Sequence, residues 1–375
     1  MLVSIIIVNY RVKYFLEQTI RSAIEALGGI GNSGEIIVID NNSGDDSIDF
    51  VKSRYGNCVT FIENKENVGF ARANNQGIFR AKGEFTLILN PDTIIGGETL
   101  KKSIEWMRSH ADCGGIGVRM LDGNGTFLPE SKRSFTTPWV SFCKIFGLSA
   151  LFPRSPLFAK YHLRYLPEDT PHCVEILAGA YMFIRTDVLK SVGGFDEDFF
   201  MYGEDIDLSY RIVKAGYKNY YLPIPIIHYK GESTKKDSMR YVKVFYEAML
   251  IFFRKHYPNY SRFFAFFIHF AIYVRAAAAM IKRIFTAPFK PKKASNTSDG
   301  RQWKILSDFP EQAARIIGCD CASCDCLPTD IVIDDSCYSY QRIIECIDRM
   351  GNGKLRFHIY SAINDIIISP KMTLQ

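Results

Sequence analysis

Hydrophobic and polar positions along this chain follow two alternating periods from the first residues onward. Leu2-Val3-Ser4-Ile5-Ile6-Ile7-Val8 is a short apolar run that predicts a buried strand over 3–8. Phe15, Leu16, Ile20, Ala23, Ile24 and Leu27 then recur at the spacing of one helix face, and Gly28-Gly29 ends it. The same reading predicts strands over 35–39, 59–62 and 85–89, with helices over 70–81 and 99–110. Such alternation is the signature of βα units built around a sheet. Past Gly114 the pattern loosens into segments carrying Gly, Pro and Phe as far as Pro171. A strand over 175–184, a helix over 187–192 stopped by Gly193-Gly194, a helix over 204–215 and a strand over 220–227 restore it.

From Tyr241 the character changes. Val244, Phe245, Ala248, Met249, Ile251, Phe252 and Phe253 predict an aromatic amphipathic helix ending near Tyr257-Pro258. Residues 263–274 are apolar apart from His269, and Arg275 precedes a further apolar stretch to 281. A spanning helix needs roughly 20 apolar residues. An in-plane or shallowly inserted helix is therefore expected, with Lys282, Arg283, Lys290, Lys292 and Lys293 reaching anionic headgroups. The alternative is a helical hairpin packed on the preceding domain. Residues 288–300 read as a linker. Strands over 304–306, 331–333 and 355–359 and a helix over 340–350 then describe a small α/β unit with no Gly-rich phosphate loop. The expected organisation is a domain over 1–235, a helical membrane-associating segment over 236–287, the linker 288–300 and a small α/β domain over 301–375.

Composition adds exclusions more than assignments. Hydrophobic content of 47% and charged content of 23% describe a folded protein and set disorder aside. The formal charge of +6 is modest, and its basic cluster lies in a linker beside an apolar stretch. Nucleic-acid binding, which interleaves basic and aromatic residues on a surface, is not expected. Met1 leads straight into the first apolar run without a basic region or cleavage site, so no secretory signal is expected. Cys58, Cys113, Cys143 and Cys173 are scattered singly, which fits a reducing cytoplasm better than a disulfide framework. Cys319, Cys321, Cys324 and Cys326 stand too close together for a well-formed tetrahedral zinc site, and a Cys-rich surface loop is the default.

Candidate chemistry gathers at the ends of the predicted strands. Asn9-Tyr10 follows the first, Asp40-Asn41-Asn42-Ser43 the second, Asn67 to Arg72 the third, and Asn90-Pro91-Asp92 the fourth. Each alone is explained as a turn or helix cap. Open α/β sheets bind ligands at the carboxyl ends of their strands, so four consecutive polar ends point to one crevice.

These segments, with Ser4 to Tyr10, Asn67 to Gly77 and the block from Gly193-Gly194-Phe195-Asp196-Glu197 through Phe200 to Leu208, resemble glycosyltransferase family two. The likeness is to inverting GT-A enzymes, especially the bacterial rhamnosyltransferase-like branch, and covers about the first 235 residues. It implies a Rossmann-like mixed sheet flanked by helices and a nucleotide-diphospho-sugar donor. Asn9, Tyr10, Asp40, Asn67, Arg72 and Asn90 fall where the family contacts that donor. Asp40 resembles the carboxylate facing the pyrimidine ring, and Arg72 a nucleotide-contacting arginine with a planar, permanently charged fork. Asp92 matches the last position of the DXD motif, an oxygen ligand for Mg²⁺ or Mn²⁺. The motif here reads Asn90-Pro91-Asp92, which leaves one carboxylate. His228 resembles the second metal ligand, although a lone histidine is more often structural.

Glu204-Asp205 resembles the catalytic acidic pair, with Asp205 as base and Glu204 orienting the acceptor. Acids in a first helical turn also favour the helix dipole, and Asp207 is explained by pairing with Arg211 at i,i+4. The expectation is a cytoplasmic enzyme, peripheral at the inner face of the membrane. It would transfer rhamnose or a hexose to a glycan or lipid-linked glycan acceptor. Two rivals differ in what they require. A nucleotidyltransferase needs a glycine-rich loop after the first strand, where Asn9-Tyr10-Arg11-Val12 has none. A non-catalytic sugar-binding module does not need Asp92, Asp205 and His228 together.

Overall fold

The apolar run at the amino end forms β1 (Val3–Asn9), flanked by β2 (Gly34–Asp40) on one side and β4 (Phe85–Leu89) on the other. In this computed structural model the described residues are 1–135, 137–145, 147–230, 239–258, 302–317, 328–351, 353–370 and 372–374. Between and beyond these strands run α1 (Lys13–Gly28), α2 (Ser47–Tyr55), β3 (Val59–Glu63), α3 (Phe70–Ile78), β5 (Thr93–Ile94), α4 (Gly97–Ser109) and β6 (Cys113–Leu121). Then come α5 (Pro138–Ile145), α6 (Leu148–Leu151), β7 (His172–Val174), β8 (Tyr181–Arg185), α7 (Thr186–Ser191), α8 (Glu204–Lys214), β9 (Lys218–His228) and α9 (Met239–His256). A nine-stranded mixed sheet results, in the order β3-β2-β1-β4-β8-β6-β9-β5, with β7 paired to β9.

Both faces of the sheet are covered, which is why β1 is apolar without alternation. Val3, Ile5 and Ile7 pack with Leu16 and Ile20 of α1 and Leu100 and Met107 of α4. Ile6 and Val8 point the other way, toward Ala71 of α3, Leu189 of α7 and Leu208 of α8.

Two sequence expectations need correction. Of the strand expected over 175–184, only the last residues are strand, in β8; residues 175–180, which follow β7, are not, and they end in a turn in which Tyr181 N–H donates to Ala178 C=O at 3.1 Å. The loosened pattern past Gly114 conceals β6, an interior strand of the sheet. Glycines hide its apolar signal, and neighbours crowd them: a Cβ on Gly114 would sit 2.7 Å from Tyr217 Cβ, and one on Gly115 2.6 Å from the end of the Leu177 side chain. The helix α2 was not anticipated either.

The carboxyl-terminal part forms β10 (Trp303–Leu306), α10 (Pro310–Ile317), β11 (Asp330–Asp334), α11 (Tyr340–Met350), β12 (Arg356–Ser361), β13 (Ile366–Ser369) and β14 (Met372–Leu374). Its five strands make a second sheet in chain order, parallel up to β12 and antiparallel after it. Ile343, Ile344 and Ile347 of α11 pack in one core with Val12, Phe15, Ile94, Ile227 and Tyr229 of the larger sheet's layer. Arg21 reaches across to Asp335 at 2.5 Å, and burial pushes that carboxyl up to about 6 even beside the guanidinium.

The apolar face of α9 carries Ala248 and Phe252, which pack with Phe199, Ile206 and Tyr210 beside α8. No helix among the described residues is long and apolar enough to cross a membrane. The apolar stretch 263–281, the basic cluster 282–293 and the cysteines of 319–326 lie outside the described residues.

Ile344 is fully buried at the junction of the two sheets' layers. Ile344→Ala is expected to lower stability by about 3 kcal/mol through lost burial and the cavity left behind. Urea denaturation followed by circular dichroism measures this, and a loss below about 1 kcal/mol would mean the junction closes around the missing atoms.

Candidate active site

Strand direction brings the polar residues to one edge of the large sheet. β1, β2 and β4 are parallel, so Asn9, Asp40 and Asn90 lie at their common carboxyl edge. β8 runs antiparallel to β4 and begins at that edge, while β6 is antiparallel to β8 and β9 parallel to β6. His228, the last residue of β9, therefore reaches the same edge. There β5 pairs back antiparallel to β9, with Thr93 opposite His228.

Asp40 is held by its neighbours in one orientation. Its Oδ1 accepts from Asn9 Nδ2 at 2.8 Å and Ser43 Oγ at 2.6 Å, and its Oδ2 accepts from Ser43 N–H at 3.1 Å. Asn9 is fully buried and also donates to Ser47 Oγ at 2.8 Å. Asn9 thus lies beneath Asp40 as its support, with no surface open to a ligand. Tyr10 is half-buried, with the Arg11 guanidinium 5.1 Å from its ring centre.

The next loop is folded by side-chain amides. Asn67 Oδ1 accepts from Asn41 Nδ2 and from Gly69 N–H, both at 3.0 Å. Gly69 has φ +85°, and a Cβ there would meet Phe200 O at 2.7 Å, so only glycine fits where this loop meets the segment before α8. Arg72 is exposed, and its Nε donates to Glu197 at 2.9 Å. An ion pair this open to water is weak, which leaves the guanidinium available to a stronger anion.

Asp92 and His228 face one another at this edge. Asp92 Oδ1 lies 3.3 Å from His228 Nε2, both side chains are nearly buried, and Asn90 Nδ2 is 3.5 Å from the same nitrogen. Thr19 of α1 positions the turn: its hydroxyl donates to Pro91 C=O at 2.8 Å and accepts from Thr93 N–H at 3.3 Å. Two ligands about 3 Å apart suit adjacent positions around a small cation with bonds of about 2.1 Å. The carboxylate and imidazole therefore fit one divalent ion. No group of three or more His, Cys, Asp or Glu is arranged to hold a metal among the described residues. Most of the coordination would have to come from ligand oxygens and water.

The acidic pair opens α8 from a left-handed Gly203. Asp205 Oδ2 accepts from Arg133 Nη2 and from Gly179 N–H, the latter at 3.2 Å, while Arg133 Nη2 also donates to Leu177 C=O at 2.8 Å. Glu204 is buried, and its Oε2 has no hydrogen-bond partner. Burial first, then the neighbouring Asp205 charge, pushes its carboxyl up to about 8. Asp207 is fully buried between Arg211 at 2.7 Å and His256 at 2.6 Å, a structural position.

Two consecutive small residues join the halves of this edge. Gly179 N–H donates to Asp205, and Ala180 C=O accepts from Asn90 N–H at 3.1 Å. Arg133 and Thr19 are the residues that sequence reading missed. Neither carries a local signal, because each acts on a partner about 72 residues away. A surface hollow of about 420 Å³ beside Lys82, Glu84, Arg185 and Lys190 lies at the opposite edge of the sheet and contains none of these groups.

The raised Glu204 carboxyl links stability to pH. The folded chain holds this proton above the unfolded value of 4.5, so its stabilising contribution is complete below that pH and is lost as pH rises through about 8. Glu204→Gln is expected to melt higher than the wild type at pH 8 and about equal to it near pH 4. Thermal melts of both proteins across this range measure the gap, and a gap that does not change with pH would refute the assignment.

The sequence is similar to those of known proteins. The model of glycosyl transferase family 2 matches residues 4–193, half of the chain. The N-acetylglucosaminyl-diphospho-decaprenol L-rhamnosyltransferase of Mycobacterium tuberculosis is 26% identical over 240 residues, covering 60% of this chain and 76% of that protein. The low-salt glycan biosynthesis hexosyltransferase of Haloferax volcanii is 28% identical over 212 residues, covering 56% of this chain and 60% of its own length. Among solved structures, a mannosyltransferase from Pyrobaculum calidifontis in complex with GDP-Man and Mn²⁺ is 17% identical with a TM-score of 0.44, over 77% of this chain and 76% of that one. With its mixed sheet and helices in the GT-A manner, the chain belongs to glycosyl transferase family 2 and is a glycosyltransferase.

Proposed function

We propose that this glycosyltransferase is inverting and metal-assisted, and that it moves rhamnose or a hexose from a nucleoside diphosphate to a hydroxyl of a lipid-linked glycan. One observation carries the reading. The Gly179–Ala180 backbone ties the Asn90–Asp92 turn to Asp205, so a cation-binding pair and an ionisable carboxylate share one rim. The relatives named for decaprenol-linked rhamnosyl transfer and for hexosyl transfer support the choice of sugars and acceptor. Such an acceptor puts the reaction at the inner face of the cell membrane.

On this reading Asp40 accepts a hydrogen bond from the donor's pyrimidine ring, held in place by Asn9 and Ser43. Tyr10, Asn67 and Asn90 line the same crevice, and Arg72 exchanges Glu197 for the nucleotide. Asp92 and His228 would hold Mg²⁺ or Mn²⁺, whose Lewis acidity offsets the charge that grows on the departing diphosphate. Asp205 takes the proton from the acceptor hydroxyl as its oxygen attacks the anomeric carbon. The bond from that carbon to the diphosphate breaks on the opposite face, which inverts the centre. Arg133 holds the Asp205 carboxylate in one orientation. Glu204, its carboxyl raised by burial beside Asp205, orients the acceptor from the start of α8.

Two variants separate binding from chemistry. Asp205→Asn is expected to lower kcat by roughly 10²- to 10⁴-fold while leaving the donor Kd unchanged. A non-catalytic sugar-binding module would show no turnover in either protein. Asp92→Ala is expected to abolish Mn²⁺-dependent donor binding. Calorimetric titration of a nucleotide-sugar panel, with and without Mn²⁺, measures that loss and identifies the sugar. Full binding by Asp92→Ala would remove this residue from the metal site.

A further inference from the structure

The segment between β6 and β7 carries a surface that the transfer chemistry leaves unused. Of the eleven large hydrophobic side chains exposed among the described residues, four fall between Trp139 and Leu157: Trp139 at 44%, Leu151 at 70%, Phe152 at 46% and Leu157 at 57%. They form one patch. Trp139 Nε1 donates to Leu157 C=O at 3.1 Å, and Phe158 lies 6.1 Å from the Trp139 ring and 5.2 Å from the Phe152 ring. Apolar exposure concentrated in this way marks an interaction site.

Charge indicates the kind of partner. From Ser131 to Pro167 the chain contains no Asp or Glu and six Lys or Arg. Four of these cations, Lys144, Arg154, Lys160 and Arg164, are exposed around the patch. An acid-free basic rim around an apolar tip bearing a tryptophan matches an anionic lipid surface. The rings and leucines enter the acyl boundary while the cations stay among the headgroups.

The two ends of this segment meet beside Asp205. Lys132 Nζ donates to Leu166 C=O and Pro167 C=O at 2.6 and 2.8 Å, and Ser134 Oγ donates to Lys160 C=O at 2.8 Å. Between these two clamps, Arg133 turns inward to Asp205. We propose that the exposed apolar patch of Trp139, Leu151, Phe152 and Leu157 is a monotopic docking surface that seats on an anionic membrane and presents Asp205 to a lipid-borne acceptor. The inference rests on the reading of the acceptor as lipid-linked. It assigns the membrane contact to the catalytic domain itself, apart from anything contributed by 236–301.

The test uses the full chain with vesicles of phosphatidylglycerol and phosphatidylcholine, the latter brominated in its acyl chains. Bromolipid is expected to quench part of the tryptophan emission, and that part should vanish in Trp139→Phe while Trp106 and Trp303 still emit. The double variant Leu151→Glu, Phe152→Glu is expected to bind these vesicles about tenfold more weakly. Its turnover of a water-soluble acceptor should be unchanged. Vesicle binding without Trp139-specific quenching would overturn the proposal by placing the contact elsewhere. A chain that ignores the vesicles would overturn it too and leave a protein as the partner of the patch. Loss of donor turnover with quenching intact would instead count against the transferase mechanism, so the two failures are distinguishable.

Discussion

The amino end of β8 sets the spacing on which the candidate site depends. Because β8 runs against β4, it enters the sheet at the edge where its parallel neighbours end. Its leading residues, Gly179 and Ala180, therefore meet the Asn90 turn on one side and Asp205 on the other. One contact is a backbone–backbone hydrogen bond and the other joins a backbone N–H to the Asp205 carboxylate, and neither can lengthen appreciably without leaving a partly buried polar group unpaired. The small side chains keep the space between them open.

Around that junction, side chains near the site are fixed by partners that lie behind them. Asn9 and Ser43 orient Asp40, Thr19 orients the Asp92 turn, and Arg133 orients Asp205. Supporting groups of this kind limit the reorganisation a reacting site would otherwise undergo. The two acids at the start of α8 differ sharply although adjacent in sequence. Asp205 faces a guanidinium and a backbone amide, whereas Glu204 is buried with one oxygen unpartnered. Their environments, more than their chemistry, set the two apart, and burial raises the proton affinity of Glu204.

The small carboxyl-terminal sheet is part of the same arrangement. Its helix α11 shares a core with Ile94 and Ile227, each one residue from the Thr93–His228 pair of the β5–β9 edge. Gln341 of that helix also accepts from Glu98 N–H at the start of α4 at 3.3 Å. The Asp92–His228 rim is thus backed by residues that lie more than 100 positions away in the chain.

Much of the fold and of the candidate site was legible because it is written locally. The apolar run of β1, the helix spacing of α1 and the polar residues closing β1, β2 and β4 each reflect burial of single positions, which periodicity reports directly. Strand direction then follows from short βα connections, and common direction gathers the strand ends. Tertiary structure decided what depends on pairs. The glycines of β6 give no strand signal, because what crowds them, Tyr217 and Leu177, comes from other segments. Arg133 looks like any other basic residue until folding sets it against Asp205, and the face of α11 acquires its partner only when two sheets meet. A sequence records which residues must leave water. Which buried group each one then meets is settled by long-range packing, where burial is equal for many partners and geometry selects one.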